Sequence, residues 1–166
     1  MKFVICTYAR TGSTLLSNII AGLFYPKEPI GFIDHPELNI KDFHDSDFNV
    51  IKSHLVDRLV CEEESEDLFF ITSHRLDVKH RLNYPNHWVV FDYQNFLIDE
   101  DLKQSVNFVA NKLKDLLGIK LSQLNIKNCI GRLELMNNRV NELKKHAFET
   151  YDPFFHIHGG HRNRKS

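Results

Sequence analysis

Three short polar stretches of the 166-residue chain carry residue types that could do chemistry together. The first, Thr7-Tyr8-Ala9-Arg10-Thr11-Gly12-Ser13-Thr14, joins an apolar run to an apolar-periodic one. A loop that opens a helix turns unpaired backbone N–H groups and the positive end of the helix dipole toward whatever lies in front of it. Gly12 allows close backbone approach, Arg10 adds a guanidinium that can fork two anionic oxygens, and Ser13 and Thr14 add hydroxyls. That is the outline of a phosphate or sulfate cradle. The plainer reading is a structural helix capped by Ser13, with Arg10 on the surface. It is not a Walker A loop, since GxxxxGK[ST] is absent and no lysine precedes the hydroxyl residues.

The second stretch is Lys52-Ser53-His54. Alternate residues of an extended segment share a face, so Lys52 and His54 could point together into one cleft. An imidazole suits proton abstraction near neutral pH, and an ammonium beside it suits developing negative charge. The third is Arg75 with Asn83 eight residues on, about two helical turns, which places both near one helix face as a second anion clamp. Each of these stretches also has a bland account as a solvated surface pair or an exposed helix.

Hydrophobic patterning predicts the elements that must position them. Lys2–Thr7 reads as a buried strand, and Leu15, Leu16, Ile19, Ile20, Leu23 and Phe24 recur at helical spacing until Pro26. Asn49–Lys52, Leu68–Thr72 and His87–Phe91 read as further strands, with a turn of helix at Leu55–Cys61 and a helix from Arg75 to Asn83. Leu102, Val106, Val109, Leu113 and Leu116 define an amphipathic helix stopped by Gly118, and Leu133, Met136, Val140, Leu143 and Ala147 a last one. Pro29–Asp47 reads as an irregular surface segment, and no period is visible from Asp152 onward. Strands alternating with helices imply an α/β fold, three-layer α/β/α around a mainly parallel sheet, in which ligands gather at the carboxyl ends of the strands. All three polar stretches follow strands, so they are expected to converge on one edge. No linker divides the chain, which reads as a single domain over 1–166 with a basic C-terminal stretch at 152–166.

Composition narrows the classes. Lys plus Arg number 21 and Asp plus Glu 22, a formal charge of −1, which argues against nucleic-acid binding by bulk charge. Three cysteines (Cys6, Cys61, Cys129) without a CxxC pair argue against a disulfide framework or a thiolate zinc site. No apolar run reaches the ~20 residues of a membrane span. The expectation is a soluble, cytoplasmic protein with no membrane or nucleic-acid partner. His156, His158 and His161 could ligate a metal, although a basic tail with histidines is the simpler account, and no metal is expected.

Taken in order, the motifs resemble the sulfotransferases that use 3′-phosphoadenosine 5′-phosphosulfate (PAPS). Tyr8–Thr14 looks like that family's 5′-phosphosulfate loop, and Ile51-Lys52-Ser53-His54-Leu55 resembles its K-[TS]-H-L stretch. Arg75 to Asn83 is similar to the 3′-phosphate motif, with Asn83 where the family has Ser. Val89-Val90-Phe91-Asp92-Tyr93-Gln94-Asn95 looks like the strand–Tyr-Glu-Asp–helix block, with Gln94 and Asn95 replacing the two acids. The resemblance implies a P-loop-like sulfotransferase fold and a PAPS co-substrate. It implies Arg10 and Lys52 as cations at the transferring group and His54 as general base toward a hydroxyl of a small-molecule or carbohydrate acceptor. Thr11, Gly12, Ser13 and Thr14 would hold the 5′-phosphate, and Arg75 and Asn83 the 3′-phosphate. The family's C-terminal R-K-G-x-x-G is replaced by Gly159-Gly160 followed by Arg162, Arg164 and Lys165, and Arg162 is the candidate to approach that phosphate. Two other readings stay open: a P-loop-like nucleotide kinase or hydrolase, and a non-catalytic nucleotide-binding protein on the same fold.

Overall fold

The computed structural model describes residues 1–8, 11–60, 65–75, 84–96, 101–146 and 151–158. Arg10, Asn83 and Arg162, like Cys61 and His161, lie outside the described residues. The chain begins with β1 (Lys2–Cys6) and α1 (Ser13–Phe24), followed by β2 (Gly31–Phe32), α2 (Ile40–Asp45), β3 (Val50–Ser53) and α3 (Val56–Leu59). Then come β4 (Leu68–His74), β5 (Val89–Asp92), α4 (Tyr93–Phe96), α5 (Leu102–Leu117), α6 (Gln123–Leu143), β6 (Tyr151–Asp152) and β7 (Ile157–His158).

Five strands form one sheet in the order β2-β3-β1-β4-β5, and every pairing in it is parallel. Phe3 pairs with Val50 on one side and Phe69 on the other, so β1 sits in the middle. This is an α/β fold around a parallel sheet. Because side chains alternate across a strand, the sheet divides its apolar residues between two faces. Phe3, Ile5, Val50, Ile71 and Phe91 face α1, α5 and α6, where Leu16, Ile19, Val109 and Leu133 meet them. Val4, Cys6, Ile51 and Phe70 face the other way, toward Leu38, Phe43 of α2, Val56 and Leu59 of α3, and Trp88. Near-continuous apolar strands such as Phe3-Val4-Ile5-Cys6 are what a sheet covered on both faces requires. Among the described residues no helix is long and apolar enough to cross a membrane.

Three expectations need correction. The segment 29–47 is not irregular throughout, since it holds β2 and a capped α2, with Leu38 and Phe43 fully buried. Two isolated apolar residues among charged ones hide their period because so short a helix buries one side chain. The last helix starts at Gln123 rather than near Leu133. Its Ser122 N-cap makes a reciprocal capping box with Asn125, an amide standing where the Glu or Gln signal is sought. The chain does not become a tail at Asp152 either: β6 and β7 form a hairpin that buries Phe155 and Ile157 in the larger core.

Candidate functional site

The carboxyl ends of β1, β3 and β4 meet around the start of α1. Chain order makes this the crevice of the sheet. After β1 the chain runs outward to β2 and β3, then crosses to β4 on the other side of β1, and a reversal of that kind leaves a cleft at the strand ends. Gly12 is the N-cap of α1, in the left-handed region at φ 81°, a conformation suited to glycine. Leu16 donates the first helical bond to Gly12 O, and Gly12 has no side chain with which to cap the amides ahead of it. Ser13 is therefore the first residue of the helix and not its cap. Its hydroxyl does not answer the reading of an ordinary capped helix.

The loop is tied down from two sides. Thr11 Oγ1 donates to Tyr8 O at 2.7 Å, and Ser73 Oγ of β4 donates to Thr11 O at 2.6 Å. Beneath it Thr7 is fully buried, with its Oγ1 lacking a hydrogen-bond partner. From β3, Lys52 extends to within 3.2 Å of Thr14 Oγ1. Lys52 is only 5% exposed, and burial pulls its ammonium down from 10.5 to about 8, with Asp34 opposing the shift. A cation held with so little solvation, next to a helix start, is a site that an anion would relieve.

His54 follows β3 directly. Its Nδ1 lies 2.8 Å from Thr7 O. A carbonyl can only accept, so Nδ1 carries the hydrogen, and in the neutral ring Nε2 holds the lone pair. Asp34 accepts from the His54 amide at 3.1 Å and from Ser53 Oγ at 3.3 Å, which fixes the backbone that aims the ring. Phe32 meets the ring edge-on, with centroids 5.8 Å apart. Arg75, just past β4 on the same edge, lies over the Tyr93 ring at 5.5 Å.

Thr11, Gly12, Ser13, Thr14, Lys52 and His54 thus gather around the ends of β1 and β3, and Arg75 stands at the next strand end. Thr7 and Ser73 fall within the polar stretches that follow strands, and Asp34 within a His/Asp-rich stretch that reads as acceptor binding or a plain surface loop, but residue type gave none of them these partners. Asp34 owes its place under His54 to β2 pairing with β3. A cavity of about 280 Å³ opens at the amino ends of β4 and β5, lined by Leu68, His87, Trp88 and Val89. Among the described residues no group of three or more His, Cys, Asp or Glu could hold a metal ion. Cys6 and Cys129 are free, buried thiols, and burial raises both. No protein-family model matches the chain, and no curated protein matches it at a significant level.

Proposed function

We propose that this edge is a group-transfer site for an anionic nucleotide, with a helix start and cations on the donor side and an imidazole base on the acceptor side. More narrowly, the reaction is transfer of the sulfuryl group of PAPS to a hydroxyl, on a P-loop-like sulfotransferase fold. The observation that carries the reading is the Thr7 O–His54 Nδ1 contact, which leaves the Nε2 lone pair as a base on the same strand-end edge as the Lys52–Thr14 pair. The central position of β1, with α1 following its loop, supports the finer fold reading.

In this scheme the acceptor O–H gives its proton to His54 Nε2 as the new O–S bond forms. The S–O bond to the 5′-phosphate breaks in line, and 3′-phosphoadenosine 5′-phosphate leaves with the bonding pair. Such transfers spread charge over equatorial oxygens, so positioning and electrostatics do most of the work. Lys52, mostly protonated below about pH 8, answers the charge on the leaving phosphate. Arg10, from its place in the loop motif, is assigned to the transferring group. Arg75, Asn83 and Arg162 are assigned to the 3′-phosphate.

Calorimetry with 3′-phosphoadenosine 5′-phosphate against AMP tests the nucleotide side. The bisphosphate binds more tightly if the reading holds, and equal or absent binding of both overturns it. His54→Ala then keeps the nucleotide and loses transfer by roughly 100-fold or more. Binding without transfer in the wild type would mark a non-catalytic relative, and Mg²⁺-dependent ATP turnover a kinase or hydrolase.

A further inference from the structure

Arg132, in the middle of α6, is 3% exposed, and its hydrogen-bond partners among the described residues are neutral oxygens. Nε donates to Asn18 Oδ1 at 3.2 Å, Nη1 to Pro26 O at 3.1 Å and Glu28 O at 2.8 Å, and Nη2 to Phe154 O at 3.2 Å. The guanidinium also lies 4.5 Å from the Phe154 ring centroid and 5.3 Å from that of Phe155. A buried charge is expensive, and an apolar residue would fill the volume at less cost. What an apolar residue could not do is join three separate segments by their carbonyls. Here those are α1, the turn leading into β2, and the β6–β7 hairpin.

The hairpin so joined reaches the site. Asn18 donates to Phe155 O at 2.9 Å and to Thr14 O at 2.8 Å, and Ile30 N donates to Phe154 O at 3.2 Å. His156 at the hairpin bend is the one non-glycine residue among those described with positive φ, 53°. Tyr151 Oη hydrogen-bonds its Nδ1. Its ring lies 4.7 Å from that of Phe32, and Phe32, 44% exposed, is the ring that meets His54. Strained backbone persists where surrounding structure over-determines it, and here it aims an imidazole at the neighbour of the candidate base.

We propose that Arg132 is a positioning residue for the acceptor side: it seats the β6–β7 hairpin so that His156 and Phe32 form a wall against His54. The acceptor role rests on the sulfotransferase reading, whereas the seating rests on the contacts alone. Nuclear Overhauser contacts from Phe32 to His156 and His54, with the histidine ring signals, read the seating in the full chain. Arg132→Lys keeps the charge but offers one nitrogen in place of a fork. It is expected to keep its helical content, lose the Phe32–His156 contact and move the His54 signals. His156→Gly, which suits the positive φ, moves the His54 signals without loss of stability and carries the test if the lysine variant does not fold. A purely structural arginine would lower stability and leave the His54 signals in place, and that result overturns the proposal. In His156→Gly, whose lost ring meets Phe32 and not the loop before α1, affinity for 3′-phosphoadenosine 5′-phosphate stays within about twofold. A larger loss overturns the assignment to the acceptor side. Absence of nucleotide binding in the wild type overturns the acceptor role, and the ring contacts then decide the seating by themselves.

Discussion

At the scale of single residues, Lys52 makes the sharpest claim. Burial lowers its ammonium from 10.5 to about 8, so between those values the unfolded chain binds more protons than the folded one. Stability therefore rises with pH through that window, and below about pH 8 the charged lysine costs the native state about 3 kcal/mol. Lys52→Met removes that cost. Urea unfolding of both proteins is expected to show the variant more stable at neutral pH, with the gap closing toward pH 10.5. A gap independent of pH would mean that the ammonium is well solvated. The same argument predicts proton uptake when an anion binds near pH 8, because a negative ligand pulls the lysine back toward its ordinary value. Calorimetry in buffers of different ionisation enthalpy reads that uptake directly.

At the scale of elements, α1 is the strut on which the loop depends. Its residues Leu16, Ile19, Ile20 and Leu23 are fully buried, and Ser17 and Asn18 are buried as well, since the helix packs on both the sheet and α6. Gly22 marks the closest approach: a Cβ there would lie 2.7 Å from the Cα of Cys129, against backbone that cannot swing aside. Gly118, the C-cap of α5 at φ 65°, has open space around it and needs glycine only for its backbone. Gly118→Ala is expected to cost ~1–2 kcal/mol from left-handed strain. Gly22→Ala costs about 1–3 kcal/mol from overpacking, and it also weakens nucleotide binding because it displaces the helix that opens at Gly12. Denaturation with calorimetry on both variants separates the two effects. Equal nucleotide affinity in the two would show that the loop is held by Ser73 and Thr11 without help from α1.

At the scale of the whole molecule, three strand ends meet at the proposed site, and a ligand bound there should stabilise all of the fold. At a concentration a hundredfold above Kd, 3′-phosphoadenosine 5′-phosphate adds about 2.7 kcal/mol by mass action, a rise in Tm of roughly 5–10 °C. AMP at the same concentration gives less, and a thermal shift assay compares them. Much of this was legible in the sequence. Each sheet strand longer than two residues announced itself by a short apolar run, and the loop, Lys52 and His54 stood out because polar residues broke those runs. Local pattern also determined the parallel alternation and the Gly118 stop. What it could not show were pairings between distant segments: Asp34 under His54, Ser73 on Thr11, Arg132 across α1 and the hairpin, and the hairpin's return to Phe32. Arg132 left a trace, falling among Cys129, Leu133 and Met136 on a buried stripe, but a charge at such a position names no partner. Hydrophobic period and turn chemistry are properties of neighbours in the chain, so the sequence alone determines the longer elements and their order. The tautomer of His54, the solvation of Lys52 and the wall beside them depend on which carbonyls and rings the packed sheet brings together. Only the tertiary structure decides those.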